Sequence, residues 1–87
     1  MLFELKRSEP DIINEILVET RDGVKKTQLM YNARMSNTQL DRYLNKLIEK
    51  QFIEERSDSN NDTIYYLTGK GEELKDAVQQ VITLIGD

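Results

Sequence analysis

Ser36-Asn37-Thr38-Gln39-Leu40-Asp41-Arg42-Tyr43-Leu44-Asn45-Lys46-Leu47-Ile48-Glu49-Lys50-Gln51 is the stretch on which the fold turns. Leu40, Tyr43, Leu44, Leu47 and Ile48 recur at helical spacing, so one stripe must face a core. At about 100° per residue, Thr38, Arg42, Asn45 and Glu49 point the other way, flanked by Gln39 and Lys46. That outer face opens with Ser, Asn, Thr and Gln and continues with Arg and Lys. Such side chains reach base edges and phosphates from a helix lying in a major groove. Any amphipathic helix has a solvated polar face, so the flanking segments must decide what this one is for.

Upstream, Ser8-Glu9-Pro10-Asp11 offers an N-cap hydroxyl, an early Pro and acidic groups for a first helix. Ile12, Ile13, Ile16, Leu17 and Thr20 form its buried stripe, and Asp22-Gly23 ends it. After a short extended link at Val24 and Lys25, Thr27 is positioned to cap a second helix that turns Leu29, Met30 and Ala33 inward. The turn from Ala33 to Asn37 is short enough to set two helices at a steep angle, giving a helix-turn-helix whose second, exposed member covers about residues 37–50.

Downstream, the β-rich runs Phe52–Arg56 and Thr63–Leu67 flank the polar turn Ser57–Asp62, the pattern of an antiparallel hairpin. Phe52 and Ile53, with Ile64 and Tyr66, are expected to face inward. Thr68 then caps a last helix, in which Leu74, Val78, Val81 and Ile85 make a short heptad seam that Ala77, Ile82 and Leu84 widen. This is more apolar surface than a small domain covers. Either the helix folds back on its own domain or, the preferred expectation, Leu74, Val78, Val81, Ile82 and Ile85 meet the same helix of a second copy. The organisation read from the chain is therefore an N-terminal arm over 1–7, packed on the domain or on a partner subunit, a winged helix-turn-helix over 8–67, and a dimerising helix over 68–87. The fold class is α+β, mostly helical.

At 87 residues the chain makes one domain, and a chain this short buries only somewhat more than ~60% of the surface its unfolded form exposes. No apolar run approaches the roughly 20 residues of a membrane span, and Glu4, Lys6 and Arg7 leave no room for a signal peptide after Met1-Leu2-Phe3. A cytoplasmic, nucleoid-associated location is expected. With no Cys and no His, disulfides, thiolate metal sites and the commonest general base are excluded.

The formal charge of −4 conceals a strong segregation. Residues 1–23 carry three basic and six acidic groups (−3), residues 24–50 six basic and two acidic (+4), and residues 51–87 three basic and eight acidic (−5). A local basic patch on an acidic protein binds phosphate, although far-field repulsion slows association and weakens non-specific binding. The patch gathers Lys25, Lys26, Arg34, Arg42 and Lys46. Against DNA stands the tip of the hairpin, Ser57–Asp62, which has two Asp and no cation; Arg56 at its base is the local positive group.

Other constellations fall away. Asp58-x-Asn60-x-Asp62 begins like a calcium loop, but the sixth position is Thr63 rather than Gly and the twelfth is Gly69 rather than Glu. Gly69-Lys70-Gly71 lacks the frame of a phosphate-cradling loop. The pairs Glu54-Glu55 and Glu72-Glu73 are adjacent residues whose side chains diverge, so neither serves as a catalytic dyad. No enzyme, metal or cofactor is expected.

Through Lys26-Thr27-x-Leu29-Met30-Tyr31-x-Ala33, the stretch Ser36–Ile53 and the strand-to-helix junction Tyr65-Tyr66-Leu67-Thr68-Gly69-Lys70-Gly71, the chain resembles the small archaeal winged-helix DNA-binding proteins and predicted transcriptional regulators. The resemblance runs from Asp11 to about Ala77. It implies a homodimer joined through the C-terminal helices that binds duplex DNA and regulates transcription. Asn37, Thr38, Gln39, Arg42 and Lys46 would then act from the recognition helix, Arg42 as the bidentate base reader. In this reading Lys25, Lys26, Arg34 and Lys46 would serve the phosphates, and Arg56 at the base of the hairpin is counted with them among the DNA-binding residues. Two departures matter: the last helix is shorter than in coiled-coil members, and the acidic charge suits a sequence-specific regulator better than a DNA-coating protein. The alternative is a winged helix that serves as a protein–protein interaction module without strong DNA binding.

Overall fold

Seven elements follow one another in the computed structural model, which describes residues 8–85: α1 (Glu9–Glu19), β1 (Val24–Lys25), α2 (Lys26–Ala33), α3 (Asn37–Glu49), β2 (Ile53–Ser57), β3 (Thr63–Leu67) and α4 (Gly69–Ile85). The expected N-terminal arm over 1–7 lies outside the described residues. Ser8 caps α1 as its sequence predicts, its hydroxyl accepting from the Asp11 N–H, with Pro10 in the first turn. The buried Thr20 closes α1 by donating its hydroxyl to the Leu17 carbonyl at 3.0 Å. The Thr20 carbonyl accepts the Leu67 N–H at 2.9 Å and stitches the end of α1 to β3. Gly23, at φ 89°, turns the chain into β1.

The sheet has three antiparallel strands in the order β1-β3-β2, with Val24 opposite Tyr65 and Ile53 opposite Leu67. Ile53 and Tyr65 face the core, and Tyr65 is only 7% exposed. The inward face of the second strand is thus that of Tyr65 and not, as the sequence leads one to expect, that of Ile64 and Tyr66. Side chains alternate along a strand, so one register step exchanges the faces. Tyr66 instead lies on the opposite face, where the Arg56 guanidinium sits 4.4 Å from its ring centre. A Cβ on Gly23 would strike that same ring.

A second correction concerns α2. It begins at Lys26 with no side-chain cap, so Thr27 lies within the helix, exposed, rather than before it. Val24 and Lys25 pair with Tyr65 and Ile64 of β3, and the next residue, Lys26, already begins α2, so β1 passes into the helix without a linker. Leu29, Ala33, Met35, Leu40, Leu44 and Leu47 from α2 and α3 join Ile16 and Leu17 of α1 in one buried cluster.

Both turns around α3 use a left-handed residue that is not Gly. Arg34 (φ 54°) leads Met35 N–H to the Met30 carbonyl, and Gln51 (φ 67°) leads Phe52 N–H to the Leu47 carbonyl at 2.9 Å. These are the six-to-one bonds of a Schellman closure.

α4 packs along α1. Leu74, Val78 and Ile82 are half-buried on that side, whereas Val81, Leu84 and Ile85 are exposed, the last two at 82% and 78%. The start of α4 is clamped onto the α3–β2 turn. Thr68 Oγ1 lies 2.7 Å from the Gln51 carbonyl and 3.1 Å from that of Phe52, and it accepts the Gly71 N–H at 2.9 Å. Gly71 is buried against Phe52, so closely that a Cβ there would sit inside the Phe52 carbonyl oxygen; Gly69 has nothing within 4 Å of the same position. Gly71→Ala is therefore expected to lower the unfolding free energy by about 1–3 kcal/mol or more, as overpacking does. Gly69→Ala should be close to neutral. Urea denaturation of the two variants separates the close approach from a general effect of losing glycine.

Candidate nucleic-acid interface

α3 owes its position to its own first turn. Ser36 Oγ accepts the Gln39 N–H at 3.2 Å while Gln39 Oε1 accepts the Ser36 N–H at 3.3 Å, a complete capping box. Gln39 is thereby tied to the helix end through its carbonyl oxygen. This narrows what it can offer a ligand. With Leu40, Leu44 and Leu47 buried, α3 leaves Asn37, Thr38, Arg42, Asn45 and Lys46 exposed on its outer side.

The cations divide into two groups. Lys25 Nζ lies 3.0 Å from Asp62 Oδ2 on the hairpin, and Lys26 forms an ion pair with Asp41 of α3. Arg56 Nε donates to Glu54 Oε2 at 3.0 Å and covers the Tyr66 ring. By contrast, Arg42 and Lys46 form no ion pair or hydrogen bond among the described residues. They stand one helical turn apart and border a cleft of about 130 Å³ shared with Glu9, Ile13, Tyr43 and Leu47. Arg34 sits at the far end of α2, about 12 Å along the helix from Lys26, exposed in its left-handed turn.

Charge follows these contacts. The hydrogen bond and charge of Asp62 hold the Lys25 ammonium above its ordinary pKa, with Asp58 adding to the effect. Glu54 acts likewise on Arg56. Burial pushes the Tyr65 hydroxyl up, and the neighbouring Glu55 carboxylate pushes it further.

The hairpin tip explains its own acidity. Asp58 Oδ1 accepts the N–H groups of Asn60 and Asp62, both at 2.9 Å, and so folds the turn. Asp62 then serves Lys25. The pairing of Asp62 with Lys25 was not visible from composition, because it needs the register of β1 against β3. Asp41 was likewise missed, since nothing in the sequence separates a solvated Asp on a helix from one aimed at Lys26. Among the described residues no group of three or more His, Cys, Asp or Glu side chains could hold a metal ion, and no helix is long and apolar enough to cross a membrane.

A short helix, a turn, a capped helix with an exposed polar face and a β-hairpin in this order define a winged-helix domain. The chain belongs to the winged helix-turn-helix family, whose model matches residues 6–86. It is 34% identical over 85 residues to an uncharacterized protein of the archaeon Methanocaldococcus jannaschii, covering 97% of this chain and 38% of the relative. The chain thus spans well under half the length of that relative. Among solved structures it is similar to Sso10a-2, a DNA-binding protein from Sulfolobus solfataricus, with a TM-score of 0.82, 22% identity and coverage of 90% of this chain and 81% of that one. A MarR-family transcriptional regulator from Silicibacter pomeroyi superposes with a TM-score of 0.71 at 21% identity, over 79% of this chain and 49% of that one. An E. coli MarR variant complexed with operator DNA does so with 0.68 at 16%, over 91% and 56%. At these identities the likeness is one of fold.

Two outcomes test this local chemistry. Ser36→Ala removes the cap of α3 and is expected to cost about 1 kcal/mol of stability, measured by chemical denaturation. The raised Tyr65 and Lys25 groups keep their protons longer in the folded state than in the unfolded one. Their stabilising effect is full below the ordinary values of 10.0 and 10.5 and is lost as pH climbs through the raised ones. The melting temperature should therefore fall above about pH 10, and less steeply in Tyr65→Phe.

Proposed function

We propose that this protein is a duplex-DNA-binding regulator of transcription that acts as a homodimer, with α3 in the major groove. What supports the reading is the division among its cations. Arg42 and Lys46 are exposed on the capped helix with no acidic partner among the described residues, while Lys25, Lys26 and Arg56 are each paired with an acid. An Arg on the outer face of such a helix can present two parallel N–H donors to guanine. Asn37 and Thr38 precede it on the same helix, and Gln39 is left only its amide NH₂ for a base edge. Lys46 and Arg34 contribute phosphate contacts. The solved structures of similar fold include one bound to operator DNA and one bound to an oligonucleotide, and the same mode of use is proposed for this chain, within the cytoplasm and on the nucleoid.

The dimer forms through α4. Its half-buried residues Leu74, Val78 and Ile82 rest against the domain, and the exposed Val81 and Ile85, with Leu84 beside them, offer an apolar end for a second copy. A two-fold pair of α3 helices would read half-sites about one helical turn apart, or a multiple of it.

A second reading, the winged helix as a protein-binding module, is favoured by the internal pairing of Lys25, Lys26 and Arg56. Selection from a pool of random duplexes decides between them. An enriched two-fold sequence, with Arg42→Ala costing about 1–3 kcal/mol and relaxing the preference, supports the regulator. Equal losses on selected and random DNA count against base reading by Arg42, and no binding at ~50 mM salt, where phosphate contacts are strong, favours the protein-binding module. Light scattering of Ile85→Glu should report a monomer whose circular dichroism still shows the native helix content, because Ile85 is solvent-exposed in the single chain, while its melting temperature falls by whatever the dimer contributed.

A further inference from the structure

Lys25 and Lys26 are consecutive, yet they are held from two sides. Lys25, in β1, reaches across to the hairpin at Asp62; Lys26, the first residue of α2, reaches across to Asp41 on α3. Together the two pairs bridge the hairpin and the exposed helix. Neither acid is needed for the local fold by its carboxylate. Asp62 joins the turn through its backbone N–H and carbonyl, which engage Asp58, and the carboxylate of Asp41, within α3, makes no hydrogen bond among the described residues beyond the ion pair. Asp58 fixes the turn and so holds the Asp62 carboxylate in front of Lys25. A carboxylate on a Lys ammonium occupies the place a phosphate oxygen would take, with the same charge sign and the same acceptor geometry.

We infer that Asp62 and Asp41 are internal competitors for DNA phosphate, holding Lys25 and Lys26 back so that the domain binds duplex DNA of arbitrary sequence weakly. The inference rests on the DNA-binding reading above. Both pairs are partly open to solvent, with 54% and 47% of the Lys25 and Asp62 side chains exposed, so each is weak enough for a well-placed phosphate to displace it. A phosphate brought into register by base contacts made through α3 can do so. A phosphate met in passing has a smaller gain to set against the same pair. The acidic character of the hairpin tip then serves discrimination rather than contradicting DNA binding.

The test measures affinity for a random-sequence duplex across a salt series, using the full chain. Asp62→Asn and Asp41→Asn should each tighten binding by about 2–5-fold, the range set by an exposed ion pair, and steepen the salt dependence by about one released counterion per freed lysine. Because removing any acid near DNA reduces repulsion, two comparisons isolate the pairing. Glu49→Gln neutralises an exposed acid of the same helix that has no ion-pair partner among the described residues and should leave the salt slope unchanged. Lys25→Ala should weaken binding more in the Asp62→Asn background than in the wild type, and Lys26→Ala more in Asp41→Asn. Equal losses in both backgrounds, or a gain from Glu49→Gln that matches the others in affinity and slope, would overturn the inference while leaving DNA binding intact. No binding by the wild type or any variant at ~50 mM salt overturns the DNA reading itself, and this inference with it.

Discussion

The architecture depends on one hydroxyl. Thr68 Oγ1 sits over the Gln51 and Phe52 carbonyls and accepts the Gly71 N–H. Three elements therefore meet at a point: the end of α3, the start of the hairpin and the first turn of α4. A helix leaves four N–H groups unmet at its start; here one of them is satisfied by the residue that also restrains the preceding turn. Gly71 permits the approach because any side chain would collide with the Phe52 carbonyl. Lys70 adds its ammonium 5.3 Å from the Phe52 ring. The direction in which α4 leaves the domain is thus fixed relative to α3, so a dimer built on α4 would inherit the orientation of both exposed helices.

Electrostatics give the second layer. A chain of net −4 concentrates its positive charge between residues 24 and 50, and the fold then brings acidic groups onto part of that charge. Asp62 comes from the acidic C-terminal third, whereas Asp41 is one of the two acids inside the basic third itself. Exposed pairs of this kind add little to stability. Their effect falls on which cations remain unengaged, and among the described residues those on α3 are Arg42 and Lys46 on its outer face.

How much of this could be read from the sequence follows from the range of the interactions. Ser8, Ser36 and the leucine spacing of α3 act over three or four residues, and the helices they predict are the helices present. The order of helix, turn, helix and hairpin was likewise legible, because turn chemistry is local. The inward strand face was not. Thr63-Ile64-Tyr65-Tyr66-Leu67 offers apolar residues to both sides, and the choice of Tyr65 is made by its neighbours Val24 and Glu55 across the sheet. Thr27 misled because α2 starts one residue earlier, directly from β1, with no side-chain cap at all. The cations of the candidate interface were identifiable as residue types. Which of them are engaged was not, since Lys25–Asp62 and Lys26–Asp41 span 37 and 15 positions of sequence.

The two turns that bound α3 carry a mechanical consequence. A left-handed backbone on a residue with a Cβ costs roughly 1–2 kcal/mol relative to glycine, and both Arg34 and Gln51 bear it. The compensation is stiffness: a side-chain-bearing residue has fewer backbone states to wander among than glycine does. α3 is therefore slung between two inelastic joints rather than two supple ones. A surface presented in that way adapts to what it meets by turning side chains about their own bonds, with the helix axis as a fixed datum.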